Sequence, residues 1–171
     1  NAVRIILFDT WIHEGGYGGG DWNDEAYRKI NLAKLERTVN ACSRHGLYAI
    51  INSHNKIPEY NEAYNEALWR HVAPHFKNRS HVIFEASNEA IPGTGIGDGR
   101  VFTGDNARFA LLRRHADMIR SLAPDRHLMV LTPAGISGWG YVDSMARMVE
   151  HFESKPGAPI DWTKTSVAYH L

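Results

Sequence analysis

Residues 81–90 read HVIFEASNEA, an apolar run that ends in an amide and a carboxylate, Asn88 and Glu89. The run Val82–Phe84 is typical of a strand buried on both faces, as in a parallel sheet. A carboxyl group at the end of such a strand is half desolvated, which raises its pKa as general-acid work near neutral pH requires. The stretch therefore predicts a parallel strand with a candidate general acid at its end, although a simple strand-to-loop turn leaves the same dipeptide.

Four further runs rich in Val, Ile, Leu and Phe have the same character. They are Val3–Phe8, Tyr48–Ile51, Leu128–Leu131 and Ser166–Tyr169. The segments between the runs are amphipathic, with apolar residues at helical spacing. The resulting order βαβαβαβαβ predicts parallel strands joined by right-handed crossovers.

Four residues give detail to the predicted helices. Gly46 follows the first helix as a C-terminal cap, and Asp105 is expected to be the N-cap of the third. Pro74 is expected to end or kink the second helix, because proline lacks the backbone N–H. Trp69 falls on that helix and is expected in the core.

Two architectures fit this order of elements, a doubly wound open sheet and part of a (β/α)8 barrel. Length favours the open sheet, because a full barrel needs about 250 residues. Polar chemistry favours the barrel, whose active sites are assembled from residues at the ends of several strands. Such strand-end residues are Asp9, His54, Asn55, Asn88, Glu89 and His170. The glycine-rich stretches 15–20 and 93–99 lack the spacing of a phosphate loop and are interpreted as flexible loops.

Composition excludes several functional classes. The 171 residues include 19 Lys+Arg and 19 Asp+Glu, a net charge of zero that argues against nucleic acid as the main partner. No apolar stretch is long enough to span a membrane. The single cysteine, Cys42, excludes an internal disulfide and a cysteine-based zinc site. We expect one domain, residues 1–171, cut from a longer protein, because both ends lie on strand-like runs.

Five segments together resemble glycoside hydrolase family 5, a member of the large clan A of (β/α)8 retaining glycosidases. They follow the family's order from strand 2 to strand 6: NAVRIILFDTW, INLAKLERTVNACSRHGLYAIINSHN, LWRHVAPHFKNRSHVIFEASNEA, ARFALLRRHADMIRSLAPDRHLMVL and SVAYHL. The resemblance implies a partial (β/α)8 TIM barrel of five parallel strands alternating with helices, without barrel strands 1, 7 and 8.

The resemblance also implies roles for residues near the end of barrel strand 4. Glu89 would be the general acid/base, and Asn88 would bond the sugar 2-hydroxyl. Arg4 would lie beneath them and hold carboxylates in place with its bidentate guanidinium. Alternatively, Arg4 is a structural arginine paired with Glu85, which has the same strand parity as Glu89.

Further substrate contacts follow from the same resemblance. His54 and His170 would line the subsite where the bond breaks. Trp139 is a candidate stacking platform for a sugar ring, and Trp11 and Trp22 are weaker candidates on the rim.

The chain departs from the family pattern at three points. Ala90 replaces the usual Pro after the acid/base, and Asn55 stands where a second His is common. The family's nucleophile, a second Glu at the end of strand 7, has no counterpart in these segments. Because a retaining mechanism needs two carboxyls about 5 Å apart, we expect the chain to be inactive alone.

The resemblance predicts a secreted endo-β-glucanase or cellulase-like enzyme acting on β-linked glucan or mannan. No cofactor or metal is expected, because glycosidic hydrolysis needs only water and carboxyl groups. Five strands do not close a normal barrel, so self-association through open sheet edges is expected. Two alternatives remain, a non-catalytic carbohydrate-binding or scaffold remnant and an unrelated open-sheet protein of nucleotide-binding type.

Overall fold

Strands and helices alternate along the chain, as the sequence predicts. A computed structural model describes residues 1–8, 21–54, 62–88, 106–131, 141–154 and 159–168. The strands are β1 (Ala2–Phe8), β2 (Tyr48–His54), β3 (Val82–Glu85), β4 (His127–Leu131) and β5 (Thr165–Ala168). The helices are α1 (Glu25–Arg44), α2 (Glu62–Phe76), α3 (Asn106–Leu122) and α4 (Tyr141–Ser154). In the ranges described, none of the helices has both the length and the apolar character to cross a bilayer.

The strands form one parallel sheet whose spatial order is the chain order, β1-β2-β3-β4-β5. A doubly wound sheet reverses its strand order at a switch point, and the described strands contain no such reversal. Right-handed crossovers that always advance in one direction place the helices on the same face. The sheet is therefore of the barrel type, which confirms that prediction and rules out the doubly wound alternative.

The core lies between this helical layer and the sheet. Ala49, Ile51, Phe84 and Val130 are fully buried on the strands. Trp69 of α2 is also fully buried and packs edge-on against Phe84, with ring centroids 5.5 Å apart. The prediction that Trp69 is a core residue is confirmed. Burial of each such side chain contributes about 2–3 kcal/mol to stability.

The C-terminal end of α1 has the cap that Gly46 predicts. Gly46 has φ 64, a left-handed conformation that glycine adopts without strain. Its N–H donates to the carbonyl of Ser43 at 3.1 Å, and the N–H of Leu47 donates to that of Cys42 at 2.9 Å. These two bonds form a Schellman motif, which satisfies the last carbonyls of the helix.

Two other predictions need correction. Helix α2 passes through Pro74 and ends two residues later, at Phe76, because a proline so near the end removes only one bond of the last turn. Trp22 is not a rim residue: it is 2% exposed and packs edge-on against Tyr27 at the start of α1, with centroids 5.7 Å apart. Other predictions lie outside the described residues, namely Asp105 and the glycine-rich stretches 15–20 and 93–99.

Candidate active site

Polar residues collect on the sheet face opposite the helices, which we call the inner face. Strand β2 extends beyond its apolar run and ends at His54. The register places Asn52 between Ile6 of β1 and Glu85 of β3. Because side chains alternate along a strand, Arg4 lies on the same face as Ile6, and His54 on the same face as Asn52.

Arg4 binds Glu85 across the inner face through two hydrogen bonds. Its Nε donates to Oε2 at 2.7 Å, and its Nη2 donates to Oε1 at 2.5 Å. Glu85 is only 2% exposed, whereas the Arg4 side chain is 31% exposed. A buried carboxylate needs such a bidentate partner to offset its desolvation. The predicted pairing of Arg4 with Glu85 is thus present.

Asn88 is joined to the same arginine. The Nη2 of Arg4 donates to Oδ1 of Asn88 at 2.7 Å. The backbone N–H of Asn88 donates to the carbonyl of Ser53, on β2, at 2.8 Å, and the residue is 4% exposed. The side-chain oxygen is thus engaged by a cation, and Nδ2 is the donor group of this amide.

His54 interacts with a buried neighbour on its own strand. Its Nδ1 lies 3.3 Å from Oδ1 of Asn52, which is fully buried. An amide oxygen only accepts, so in this contact Nδ1 is the donor. The sequence analysis missed Asn52. Its signal is a polar residue two positions before His54, on the same face of the strand.

Beneath the end of β3, on the helical side, lies a second polar group. Trp69 Nε1 donates to the carbonyl of Ala86 at 2.8 Å, and Asn65 Nδ2 donates to the same oxygen at 3.4 Å. Asn65 Nδ2 also lies 3.0 Å from Nδ1 of His115 on α3. Burial lowers the pKa of His115 to about 4, so the ring is neutral and its Nδ1 accepts.

The structure therefore brings Arg4 and Asn88 together and places His54 on the adjacent strand. The remaining site candidates lie outside the described residues: Glu89, Trp139, His170, Asp9, Asn55 and Trp11. The described residues thus include Asn88, which precedes the predicted acid in the sequence, but not the acid itself. Asn65 and His115 were not singled out as site residues from the sequence, because hydrogen bonds that join helices to a strand end leave no local sequence pattern.

Solved structures with this fold include several cellulases at low sequence identity. The catalytic domain of Thermobifida fusca endoglucanase Cel5A is 20% identical with a TM-score of 0.59, and the match covers 98% of this chain and 47% of that one. Thermotoga maritima Cel5A, solved with mannotriose, is 18% identical with a TM-score of 0.59, covering 99% and 48%. A broad-specificity endoglucanase from an uncultured bovine rumen ciliate is 18% identical with a TM-score of 0.58, covering 98% and 44%.

The chain thus spans a little under half the length of these solved structures, and at such identities they show the fold alone. Curated protein sequences give no significant match. A family does match: Cellulase (glycosyl hydrolase family 5), over residues 1–171. With the whole chain matched, and with five parallel strands in barrel order, the protein belongs to the cellulase family, glycosyl hydrolase family 5.

Proposed function

We propose that this chain is part of an endo-acting glycoside hydrolase that cleaves β-linked glucan or mannan with retention of configuration. The observation that carries the proposal is the contact of Arg4 with Asn88 at the end of β3, at 2.7 Å. Glu89 is the next residue in the sequence. In the proposed site, Asn88 Nδ2 bonds the sugar 2-hydroxyl, and Glu89 protonates the leaving oxygen beside it.

The proposed reaction is a double displacement. Glu89 donates its proton to the glycosidic oxygen as the bond to the anomeric carbon breaks, while a second carboxylate attacks that carbon and forms a glycosyl-enzyme. Glu89, now ionised, takes a proton from water. The water oxygen then attacks the same carbon and displaces the second carboxylate. His54 is proposed to form a hydrogen bond with a sugar hydroxyl.

Glu85 is unsuited to be the second carboxylate. Among the described residues it is the only Asp or Glu in the buried core, but Arg4 occupies both of its oxygens. An attacking carboxylate needs a lone pair directed at the anomeric carbon. We propose that the nucleophile comes from outside these 171 residues, because the family's nucleophile, a Glu at the end of strand 7, has no counterpart in the segments that resemble the family, and that the chain alone binds sugar without hydrolysing it.

The remaining parts of the proposal concern the ligand. His170 and Trp139 are proposed to complete the subsites with His54, Trp139 by stacking on a ring face. Mannan is included beside glucan because the Thermotoga maritima structure holds mannotriose. We propose that the protein acts outside the cell, since polymeric glucan does not cross a membrane.

Leaving-group dependence tests the role of Glu89. In the full-length protein, Glu89→Ala should lower kcat on β-glucan at least about a thousandfold, because the natural leaving group needs a proton. The same variant should keep most of its glycosylation rate on a 2,4-dinitrophenyl glycoside, whose leaving group needs none. Glu66→Gln, an exposed carboxylate in an i,i+4 ion pair on α2, is the control and should change neither rate. Equal losses on both substrates would overturn the assignment of Glu89.

Calorimetry on the 171-residue chain tests the division of roles. Titration with cellotetraose and mannotriose should give binding that weakens at least tenfold in Asn88→Ala, while release of reducing sugar stays at background. Hydrolysis that disappears in Glu89→Ala would show that the nucleophile is within the chain. Sugar binding with no hydrolysis by the full-length protein would instead identify a non-catalytic carbohydrate-binding remnant.

A further inference from the structure

The chain leaves the sheet at Ala86, immediately after β3. The N–H of Ala86 still donates to the carbonyl of Met129 on β4, at 3.1 Å. Its carbonyl instead accepts from the side chains of Trp69 and Asn65, at 2.8 and 3.4 Å. All three residues are fully buried. We call these two side-chain bonds the Ala86 clamp.

The clamp determines the direction of the chain because a buried carbonyl must have a donor. This position is shielded from bulk solvent, since Ala86, Ser87 and Asn88 are all at most 4% exposed. With the Ala86 carbonyl held toward α2, the chain turns so that the N–H of Asn88 reaches Ser53 of β2, at 2.8 Å. Residues 86–88 are thus held by β4, α2 and β2 in succession.

Asn65, the second donor of the clamp, is itself held by a residue of α3. The side-chain nitrogen of Asn65 has two hydrogens, of which one points to Ala86 and the other to Nδ1 of His115, at 3.0 Å. His115 is 1% exposed and belongs to α3. The amide of Asn65 therefore has one orientation in which both hydrogens are used, so α3 also contributes to the position of the strand end.

We propose that Trp69 and Asn65 are positioning residues that set the place of Asn88, the residue before Glu89 in the sequence, by holding the Ala86 carbonyl. Neither residue touches the substrate. Their importance for catalysis rests on the proposed function, whereas their effect on the backbone of Asn88 does not.

Amide hydrogen exchange measured by NMR on the 171-residue chain tests the effect on the backbone. Trp69→Phe removes the indole donor and keeps an aromatic ring against Phe84. It should reduce the protection of the Asn88 amide at least tenfold more than that of Leu35 and Val39, which lie in the core on α1, away from the clamp. Trp162→Phe is the matched control, because its indole donates to Glu153 at 3.2 Å on the exposed side of the fold; it should leave all three amides unchanged.

Two results overturn the proposal. One is a loss of protection by the same factor at Asn88, Leu35 and Val39, which would mean that Trp69 contributes only to global stability. The other is an Asn88 amide that is already unprotected in the wild-type chain. If Trp69→Phe does not fold, Asn65→Leu makes the same comparison. If both fold, the double variant should affect Asn88 by more than the product of the single effects, since either donor alone still satisfies the oxygen and the double variant leaves it with neither.

Kinetics of the full-length protein then test the catalytic consequence. Trp69→Phe should lower kcat on β-glucan about tenfold with KM changed less than twofold, and the loss should be smaller on a dinitrophenyl glycoside. Unchanged kcat in a variant that loses protection at Asn88 would overturn the catalytic part of the inference. A wild-type protein that neither binds nor hydrolyses sugar would refute the proposed function, while the exchange experiment would still decide whether the clamp holds the strand end.

Discussion

At the scale of single residues, the ion pair of Arg4 with Glu85 is the strongest electrostatic feature on the inner face. Arg4→Ala leaves the Glu85 carboxylate buried at 2% exposure without its bidentate partner. Because the arginine is itself partly exposed, we expect a loss of about 2–3 kcal/mol in the free energy of unfolding, at the lower end for a broken buried pair. Urea denaturation at neutral pH measures it. Adding Glu85→Gln should recover part of the loss, and an unchanged urea midpoint in Arg4→Ala would contradict the expectation.

His115 makes stability depend on pH. Burial lowers its folded-state pKa from 6.5 to about 4, so between these values the unfolded chain binds a proton that the folded chain does not. Stability is therefore complete above about pH 6.5 and is lost as the pH falls toward 4, by up to about 3 kcal/mol from this residue. Glu62, which raises the pKa of His115, and Arg114, which lowers it, are the charges that act on the ring.

Urea midpoints measured from pH 7 to pH 4 check this slope. Burial also lowers the pKa values of His71 and His127, so the wild-type slope contains their contributions too. His115→Gln, compared with the wild type, isolates the contribution of this ring and should flatten the curve. Parallel curves for the two proteins would show that His115 is not buried in its neutral form.

Individual residues also show which parts of the site can be predicted from the sequence. The pairing of Arg4 with Glu85 was foreseeable, because strand parity places both side chains on one face. The clamp on Ala86 was not, because Trp69 and Asn65 lie 17 and 21 residues from it and bond a backbone atom. Every residue has a backbone carbonyl, so a sequence does not indicate which carbonyl accepts a side-chain hydrogen bond. Only the packing of α2 against β3 reveals the contact.

At the scale of elements, the cap of α1 allows a clean test of backbone strain. Gly46 has φ 64, and a Cβ placed there would meet nothing within 4 Å. Gly46→Ala therefore adds conformational strain without a steric clash, and should cost about 1 kcal/mol. Gly46→Asn should cost less, since asparagine tolerates the left-handed region. Thermal or urea denaturation distinguishes the two, and an alanine variant as stable as the wild type would contradict the φ assigned to this position.

Strand β2 is longer than the apolar run that predicts it, and the extension has a physical cause. The run Tyr48–Ile51 predicts a strand that stops at Ile51, but β2 continues to His54. It continues because the ladder with β1 runs on to the pair of Phe8 with His54, whatever the polarity of the side chains. On a barrel-type sheet the inner face accepts polar residues near the strand ends, so hydrophobicity marks the buried centre of a strand and underestimates its length.

At the scale of the whole molecule, the βα alternation predicted the elements but not the strand order. Length favoured a doubly wound sheet, whereas the strands follow chain order. The polar strand ends favoured the barrel, and the sequential order places the ends of β2 and β3, with His54 and Asn88, side by side. The same order means that β1 and β5 each pair with one neighbour among the described strands, which leaves an edge on either side.

These edges predict self-association of the 171-residue chain. Edge strands expose unpaired N–H and C=O groups that pair readily with another chain, and the edge strand β1 also exposes Ile6, at 41%. Sedimentation velocity at about 50 μM should therefore show dimers or larger species. Ile6→Lys should shift the distribution toward monomer, because it places a charge on the exposed edge. Ile30→Lys is the matched control, since Ile30 is 56% exposed on α1, and it should leave the distribution unchanged. A monodisperse, stable wild-type monomer would contradict the prediction.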